Sequence, residues 1–291
     1  MEKAEVTIAG IRIVMKTPWK EQFSESFLPF MEGEAETSYE VSFCERASLK
    51  KMSTSPVFQN TGYAVYEDGH GGYLWRFHSL PRMKDDYAMT WLDLENRNIL
   101  VEYIPGSEWC FGSQKQDFSY ICWERLMIHD KRLNLHAACV DTAFGGILFS
   151  GPSGIGKSTQ AELWCKYADA TLLNGDRPIL AEKESGWMAY GSPYAGSSNC
   201  YKNESTKIRA IVMLKQAKQC AIRKLTIPEA FRSIYRGVTI HSWDKKFVLA
   251  VSELVQNLVM EIPIYELSCT PDEHAVELLR NTLREESCGE C

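Results

Sequence analysis

The stretch Gly151-Pro-Ser-Gly-Ile-Gly-Lys-Ser158 decides how this sequence is interpreted. It matches the pattern G-x-x-x-x-G-K-[ST] at every defined position. The apolar run Gly146-Ile-Leu-Phe-Ser150 comes directly before it, and a helical pattern with Ala161 and Trp164 comes directly after it. Glycines let successive backbone N–H groups face one phosphate, and a helix N-terminus adds partial positive charge. We therefore predict that residues 151–158, the glycine-rich loop, bind phosphate between a strand and a helix.

The side chains of the loop predict a nucleoside triphosphate, ATP with Mg²⁺, as the ligand. Lys157 would reach the β and γ phosphates, and the Ser158 hydroxyl would bind Mg²⁺. Thr159 would lie near the α-phosphate, or would simply be a first-turn threonine. The predicted nucleotide contacts are Gly151, Ser153, Gly154, Ile155, Gly156, Lys157, Ser158 and Thr159. The alternative is a glycine-rich turn that binds nothing.

Asp176 is the predicted acidic partner of the loop. A nucleotide enzyme needs a carboxylate that holds the metal or takes a proton from the attacking group. Asp176 follows the short apolar run Thr171-Leu-Leu-Asn174, which comes directly after the helix of the loop. Asn-Gly-Asp is also a common turn sequence, so a plain turn residue is the alternative.

His136 is the third candidate, in Leu135-His-Ala-Ala138. We expect it on a strand, within residues 133–140, that pairs with the strand feeding the loop. Its side chain would face the γ-phosphate or polarise the acceptor. A histidine with a purely structural role is the alternative.

The pattern of the chain changes near residue 114. Residues 4 to about 110 alternate as antiparallel β-strands, with hairpins at Tyr63–Phe77 and Trp91–Ile104, and a helical pattern covers residues 114–132. Later segments alternate between β and α. We therefore predict a β-rich N-terminal domain, residues 1–113, and an α/β (α+β) catalytic domain, residues 114–291.

Composition limits the partners and the location. The formal net charge of −6, from 32 Lys+Arg and 38 Asp+Glu, disfavours binding to nucleic acid, which is itself negatively charged. Ten cysteines are scattered singly, and no apolar stretch is long enough to span a membrane, so we expect a soluble, cytoplasmic protein. Cys288-Gly-Glu-Cys291 is interpreted as a frayed tail, with a redox pair or half a metal site as alternatives. The sequence is compatible with a monomer or a homo-oligomer.

Three segments together resemble the catalytic domain of HPr kinase/phosphorylase, in order and in spacing. They are Leu135-His-Ala-Ala138, Ile147-Leu-Phe-Ser-Gly-Pro-Ser-Gly-Ile-Gly-Lys-Ser-Thr159 and Leu172-Leu-Asn-Gly-Asp-Arg177. That family is similar to phosphoenolpyruvate carboxykinase in its nucleotide site. More weakly, four later segments are similar to the shorter members of the family found in gene clusters for modified peptides. They are Gly191-Ser-Pro193, Asn203-Glu-Ser205, Ala210-Ile-Val-Met-Leu214 and Ile262-Pro-Ile-Tyr265.

The resemblance implies an HPr-kinase/carboxykinase-like P-loop domain and roles for single residues. His136 matches the active-site histidine, Lys157 and Ser158 the loop pair, and Asp176 one of two adjacent aspartates. Glu204 is the nearest match to a later glutamate that binds the metal. The chain departs from the family at Gly175, where the other aspartate usually stands, and in its first 130 residues.

The expected function is an ATP-dependent kinase that transfers the γ-phosphoryl group to a hydroxyl, either a serine of a peptide or protein or a small molecule. Asp176, Lys157 and His136 would be catalytic, and Ser158, Asp176 and Glu204 would hold the metal. Because Gly175 removes one carboxylate, the first alternative is a catalytically slow ATP-binding regulator. A carboxykinase-like decarboxylating enzyme is the second.

Overall fold

The computed structural model describes residues 2–20, 23–78, 86–111 and 118–289, with the side chains of 287–289 left out. The chain is mixed α/β, with two large sheets, and divides into two compact units, Met1–Asp130 and Lys131–Cys291. The domain boundary predicted at residues 113 and 114 lies outside the described residues. The described residues 118–130 group with the first unit, and the domain assignment itself stays a prediction.

The described part of the first unit contains one eight-stranded sheet, in the order β1-β2-β3-β8-β7-β6-β5-β4. Its strands are β1 (Glu2–Ile8), β2 (Ile11–Thr17), β3 (Thr37–Glu45), β4 (Phe58–Gln59), β5 (Tyr63–Glu67), β6 (Tyr73–Phe77), β7 (Ala88–Asp93) and β8 (Asn98–Tyr103). The described part of this unit also contains the helix α1 (Trp123–His129) and three 3₁₀ turns, Glu25–Phe30, Glu108–Cys110 and Ser119–Ile121.

The two hairpins predicted in this unit are confirmed, but the sheet is not antiparallel throughout. Strands β5 and β6 pair antiparallel, as do β7 and β8. Strand β3 instead runs parallel to both β2 and β8. Alternation of apolar and polar residues identifies a strand but not the direction of its partner, so the pattern could not predict these pairings.

The helix predicted over residues 114–132 is shorter than expected. Residues 112–117 lie outside the described part of the chain, and α1 begins only at Trp123. Phe118 and Cys122 both have a left-handed backbone, with φ of 65° and 56°, which interrupts any continuous helix there. Apolar spacing indicates a helical segment but does not reveal these two breaks.

The second unit is built on a sheet of nine described strands with helices packed against it. The strands are β9 (Arg132–Asn134), β10 (Ala137–Thr142), β11 (Gly145–Ser150), β12 (Thr171–Asn174), β13 (Ile179–Ala181), β14 (Met188–Tyr190), β15 (Ser205–Gln216), β16 (Ala221–Lys224) and β17 (Ile264–Cys269). The helices are α2 (Lys157–Tyr167), α3 (Ile227–Tyr235), α4 (Lys245–Glu261) and α5 (Glu273–Gly289), with a 3₁₀ turn at Gly196–Ser198.

The residues of the predicted site lie at one edge of this sheet. Strands β11, β15 and β17 lie side by side and run parallel, so their C-terminal ends meet at the same edge. On the other side of β11, β10 runs antiparallel and begins at that edge, where Ala137 faces Ser150. Strand β12 pairs with β10 and ends there too. The glycine-rich loop therefore emerges beside the start of β10 and the end of β12.

The helices are anchored by an apolar core and by capping. Trp164 of α2 and Leu279 of α5 belong to the same buried cluster as Phe149 of β11. Burial of such side chains supplies most of the stability of a helix in a protein. Helix α5 begins at Glu273, and the Asp272 carboxylate accepts a hydrogen bond from the Ala275 N–H in its first turn.

None of the described helices is both long and apolar enough to cross a membrane. The Cys288–Cys291 tail, predicted to be frayed, lies outside the residues whose side chains are described.

Candidate functional site

The glycine-rich loop has the strand and helix that its sequence predicts. Strand β11 ends at Ser150, and α2 begins at Lys157. Gly154 and Gly156 have φ of 77° and 111°, a backbone conformation that other residues rarely adopt. A Cβ placed on either glycine would meet no atom within 4 Å, so the space above the loop is open. The loop can therefore bring its backbone close to a ligand.

The Lys157 side chain folds back over the glycine-rich loop. Its ammonium donates to the carbonyl oxygens of Gly151 and Pro152, each at 3.3 Å. The residue is only 8% exposed. Burial lowers the pKa of Lys157, Asp176 acts to raise it, and Arg177 acts to lower it. The charge is thus held near the loop and within electrostatic reach of Asp176.

The hydroxyl groups of the loop differ from Lys157 in exposure. Ser153, Ser158 and Thr159 are all exposed, at or near the N-terminus of α2. The next residue, Gln160, is buried. The exposed hydroxyls can therefore contact a ligand above the loop.

Asp176 and His136 are in direct contact. His136 Nε2 lies 3.2 Å from Asp176 Oδ1, and the Ala137 N–H donates to the Asp176 carbonyl at 3.0 Å. The structure thus brings together two residues that the sequence proposed separately. His136 itself lies in the break between β9 and β10, not on a strand as predicted, and its N–H bonds the Gly237 carbonyl. The predicted strand over residues 133–140 is therefore two strands, which pair with different partners.

The surroundings of His136 favour its neutral form. Burial lowers its pKa most, and the positive charge of Lys157 lowers it further. Asp176 acts in the opposite direction, and Arg177 acts with Lys157. The net effect is a pKa below the ordinary value of 6.5. At neutral pH the imidazole is thus poised to hydrogen-bond the Asp176 carboxylate without carrying a charge.

A buried amide holds the turn that carries Asp176. The Asn174 side-chain oxygen accepts from the N–H groups of Asp176, at 3.0 Å, and Arg177, at 2.8 Å. Asn174 Nδ2 in turn donates to the Ser192 carbonyl at 3.2 Å, and the Ser192 hydroxyl donates to the Arg177 carbonyl at 2.7 Å. Asp176 is therefore both a turn residue and a member of the cluster that it forms with His136 and Lys157. Asn-Gly-Asp signalled the turn, but no local pattern pointed to Ser192.

The position of Gly175 is crowded. A Cβ built on Gly175 would overlap the hydroxyl and Cβ of Ser198 and would lie 3.2 Å from the Ala195 carbonyl oxygen. A Cβ on Gly196 would lie 2.9 Å from Asp176 Cβ. Ser198 therefore occupies the space that a second acidic side chain would need. No local pattern indicates this contact, because the two segments are distant along the chain.

Glu204 shows no contact that supports its predicted role as a metal ligand. Its side chain is 66% exposed and lies 3.9 Å from the Lys202 ammonium. Within the described residues it forms no hydrogen bond or ion pair with Asp176 or Ser158, and no three His, Cys, Asp or Glu side chains gather as a metal site. The assignment of Glu204 stays a prediction. The oxygen donors of Ser158 and Asp176 suit Mg²⁺, which is commonly held by one carboxylate together with phosphates.

Comparison with known proteins leaves the family open. No protein-family model and no curated protein matches the chain. Among solved structures, the chain is similar to the HPr(Ser) kinase/phosphatase from Coxiella burnetii, at 13% identity and a TM-score of 0.34, over 54% of this chain and 96% of that chain. At this level of similarity the neighbour identifies no family, and the function has to be inferred from the residues of the site.

Proposed function

We propose that this chain binds ATP with Mg²⁺ on the glycine-rich loop and transfers the γ-phosphoryl group to a hydroxyl, on a serine of a peptide or protein or on a small molecule. The observation that carries the proposal is the contact between His136 and Asp176 at the sheet edge from which the loop emerges. Asp176 also lies within electrostatic reach of Lys157. A phosphate-binding loop and a proton acceptor are the two parts that phosphoryl transfer requires.

Each residue has a distinct role in this reaction. The loop N–H groups and Lys157 would hold the phosphates, and Ser158 and Asp176 would hold Mg²⁺, which supplies charge neutralisation when bound. The acceptor oxygen would attack the γ-phosphorus while the bond from that phosphorus to the bridging oxygen of ADP breaks. The acceptor proton would pass to the Asp176 carboxylate, which the neutral His136 orients.

One observation favours the alternative of a catalytically slow ATP-binding regulator. Position 175 is a glycine and Ser198 fills the space beside it. The cluster therefore contains one carboxylate, whereas the HPr kinase pattern has two. A single carboxylate must then serve the metal and the proton. If it cannot serve both, the chain binds ATP and turns it over slowly.

The substitution Asp176→Asn tests the proposal. It keeps the size of the side chain but removes the charge, so ATP should still bind through Lys157 and the loop. Acceptor phosphorylation, or phosphate release in its absence, should fall by about 10²- to 10⁴-fold. Asp169→Asn is the matched control, because Asp169 is exposed beyond the end of α2 with a left-handed φ of 51° that asparagine tolerates.

Two outcomes would change the account. Equal turnover of the Asp176→Asn and wild-type proteins would show that Asp176 is only a turn residue. ATP binding without consumption by the wild-type protein, across peptide and small hydroxyl acceptors, would replace the kinase with the regulator.

A further inference from the structure

Two cysteines lie opposite each other where β16 pairs with β17. The two strands are antiparallel, and Ala221, the first residue of β16, faces Ser268. One step further along this register, Cys220 stands opposite Cys269. Cys220 Sγ lies 3.8 Å from Oγ1 of Thr270, the residue after Cys269. The Cys220 thiol is therefore at the end of β17, as the register requires.

The backbone hydrogen bonds identify the kind of pair that these cysteines form. The Leu225 N–H donates to the Ile264 carbonyl at 2.8 Å, and hydrogen-bonded pairs alternate with non-hydrogen-bonded pairs along an antiparallel ladder. By this alternation, Cys220 and Cys269 form a non-hydrogen-bonded pair. The Cys269 carbonyl agrees, because it accepts from the Ala217 N–H on the β15 side of β17. The Cα atoms of such a pair are about 4.5 Å apart, within the roughly 4.4–6.8 Å that a disulfide spans.

Both thiols are free and lie on the same face of the sheet. Cys269 belongs to the buried cluster that contains Leu267, and Cys220 packs against that cluster. Opposed residues of two paired strands present their side chains to one face. Neither sulfur has to cross the sheet to reach the other, and no ladder hydrogen bond between the two residues has to break.

The two thiols differ in their access to solvent. Cys220 is half-buried, whereas Cys269 is only 9% exposed, and burial raises the pKa of Cys269 to about 11. Reactivity of a cysteine follows its thiolate character and its exposure. Attack on a small molecule therefore begins at Cys220. A groove of about 390 Å³, lined by Cys269 and Thr270 among others, gives a small molecule room at the end of β17.

We propose that Cys220 and Cys269 are a thiol–disulfide site, which a small-molecule disulfide such as oxidised glutathione converts into a cross-strand disulfide. The Cys220 sulfur attacks one sulfur of the small disulfide, whose S–S bond breaks and releases one thiol. The Cys269 sulfur then displaces the second small thiol from Cys220. Two protein thiols are oxidised, the small disulfide is reduced to two thiols, and the two protons leave with those thiols.

The disulfide would close a loop of about 50 residues and would stabilise the second unit by restricting its unfolded chain. That loop includes α3, α4 and Gly237, whose carbonyl accepts the His136 N–H at 2.9 Å. The redox state of the pair thus bears on the unit that holds the proposed site. The inference does not depend on ATP binding, since it uses neither the glycine-rich loop nor Asp176.

The test treats the full chain with oxidised glutathione, blocks the remaining thiols by alkylation and identifies linked peptides by mass spectrometry without reduction. The wild-type protein should yield a peptide pair joined through Cys220 and Cys269, and dithiothreitol should reverse the link. Its urea midpoint should rise by about 1 M on oxidation. Cys220→Ser and Cys220→Ala should show neither the link nor the rise.

Cys165→Ser is the control, because Cys165 is a partly buried cysteine of α2 outside the pair. It should form the link and gain stability as the wild-type protein does. Glutathione retained on Cys220 without the link, or a link between other cysteines only, would overturn the site. An equal midpoint for the oxidised and reduced wild-type proteins would overturn its effect on stability.

Discussion

Burial lowers the pKa of His136 most, and two of its charged neighbours act on that pKa in opposite directions. Lys157 disfavours the protonated imidazole, whereas Asp176 favours it. Lys157→Ala should therefore raise the pKa of His136, and Asp176→Asn should lower it further. In the wild-type protein the pKa should lie below 6.5. Titration of the His136 ring signals by NMR, on protein free of nucleotide and Mg²⁺, gives all three values.

The signs of these two shifts are the informative result. Lys166→Ala is the control, since Lys166 is exposed near the far end of α2 and should leave the His136 pKa unchanged. Shifts of the same sign in Lys157→Ala and Asp176→Asn would mean that the three side chains do not form a cluster.

At the scale of elements, the sequence predicts the parts of the site better than their arrangement. The loop, its strand and its helix are predictable because glycine spacing and apolar periodicity are local signals. The break between β9 and β10 is not predictable, because it follows from the different partners of the two strands, which no local pattern encodes. The contact of Ser198 with Gly175 arises from tertiary packing, which no local pattern encodes.

The crowding between the Asp176 turn and the 3₁₀ turn at Gly196–Ser198 predicts a specific loss of stability. Gly175→Ala should destabilise the second unit by about 1–3 kcal/mol, because its methyl group would overlap Ser198. Adding Ser198→Gly should recover part of that loss by removing the side chain it meets. Urea unfolding of the single and double variants measures both effects.

Gly62→Ala is the control for this comparison. A Cβ at Gly62 would have an ordinary contact of 3.6 Å with Asn60 Oδ1. A Gly175→Ala protein as stable as the wild type would show that the turn has room for a side chain, and crowding by Ser198 would no longer explain the absence of a second carboxylate at position 175.

At the scale of the whole molecule, all residues of the proposed site belong to one unit. The loop, His136 and Asp176 lie within Lys131–Cys291, which has its own sheet and buried core. A fragment of residues 131–291 should therefore fold and bind ATP with the affinity of the full chain. Circular dichroism and calorimetry check the two parts of this prediction.

The first unit carries no residue of the proposed site, and we expect it to select the acceptor. Once an acceptor is identified, the fragment should lose acceptor-dependent turnover although it still binds ATP. Full activity of the fragment towards that acceptor would assign acceptor recognition to the second unit instead.

Calorimetric titration of ATP with Mg²⁺ into wild-type and Lys157→Ala protein shows whether ATP binds on the glycine-rich loop. The lost charge-assisted contacts should weaken binding by about 10- to 100-fold. Lys166→Ala removes a positive charge from the exposed end of the same helix and should bind as the wild type does. Equal ATP affinity in the Lys157→Ala and wild-type proteins, or no binding by the wild-type protein, would mean that the glycine-rich loop is not an ATP site.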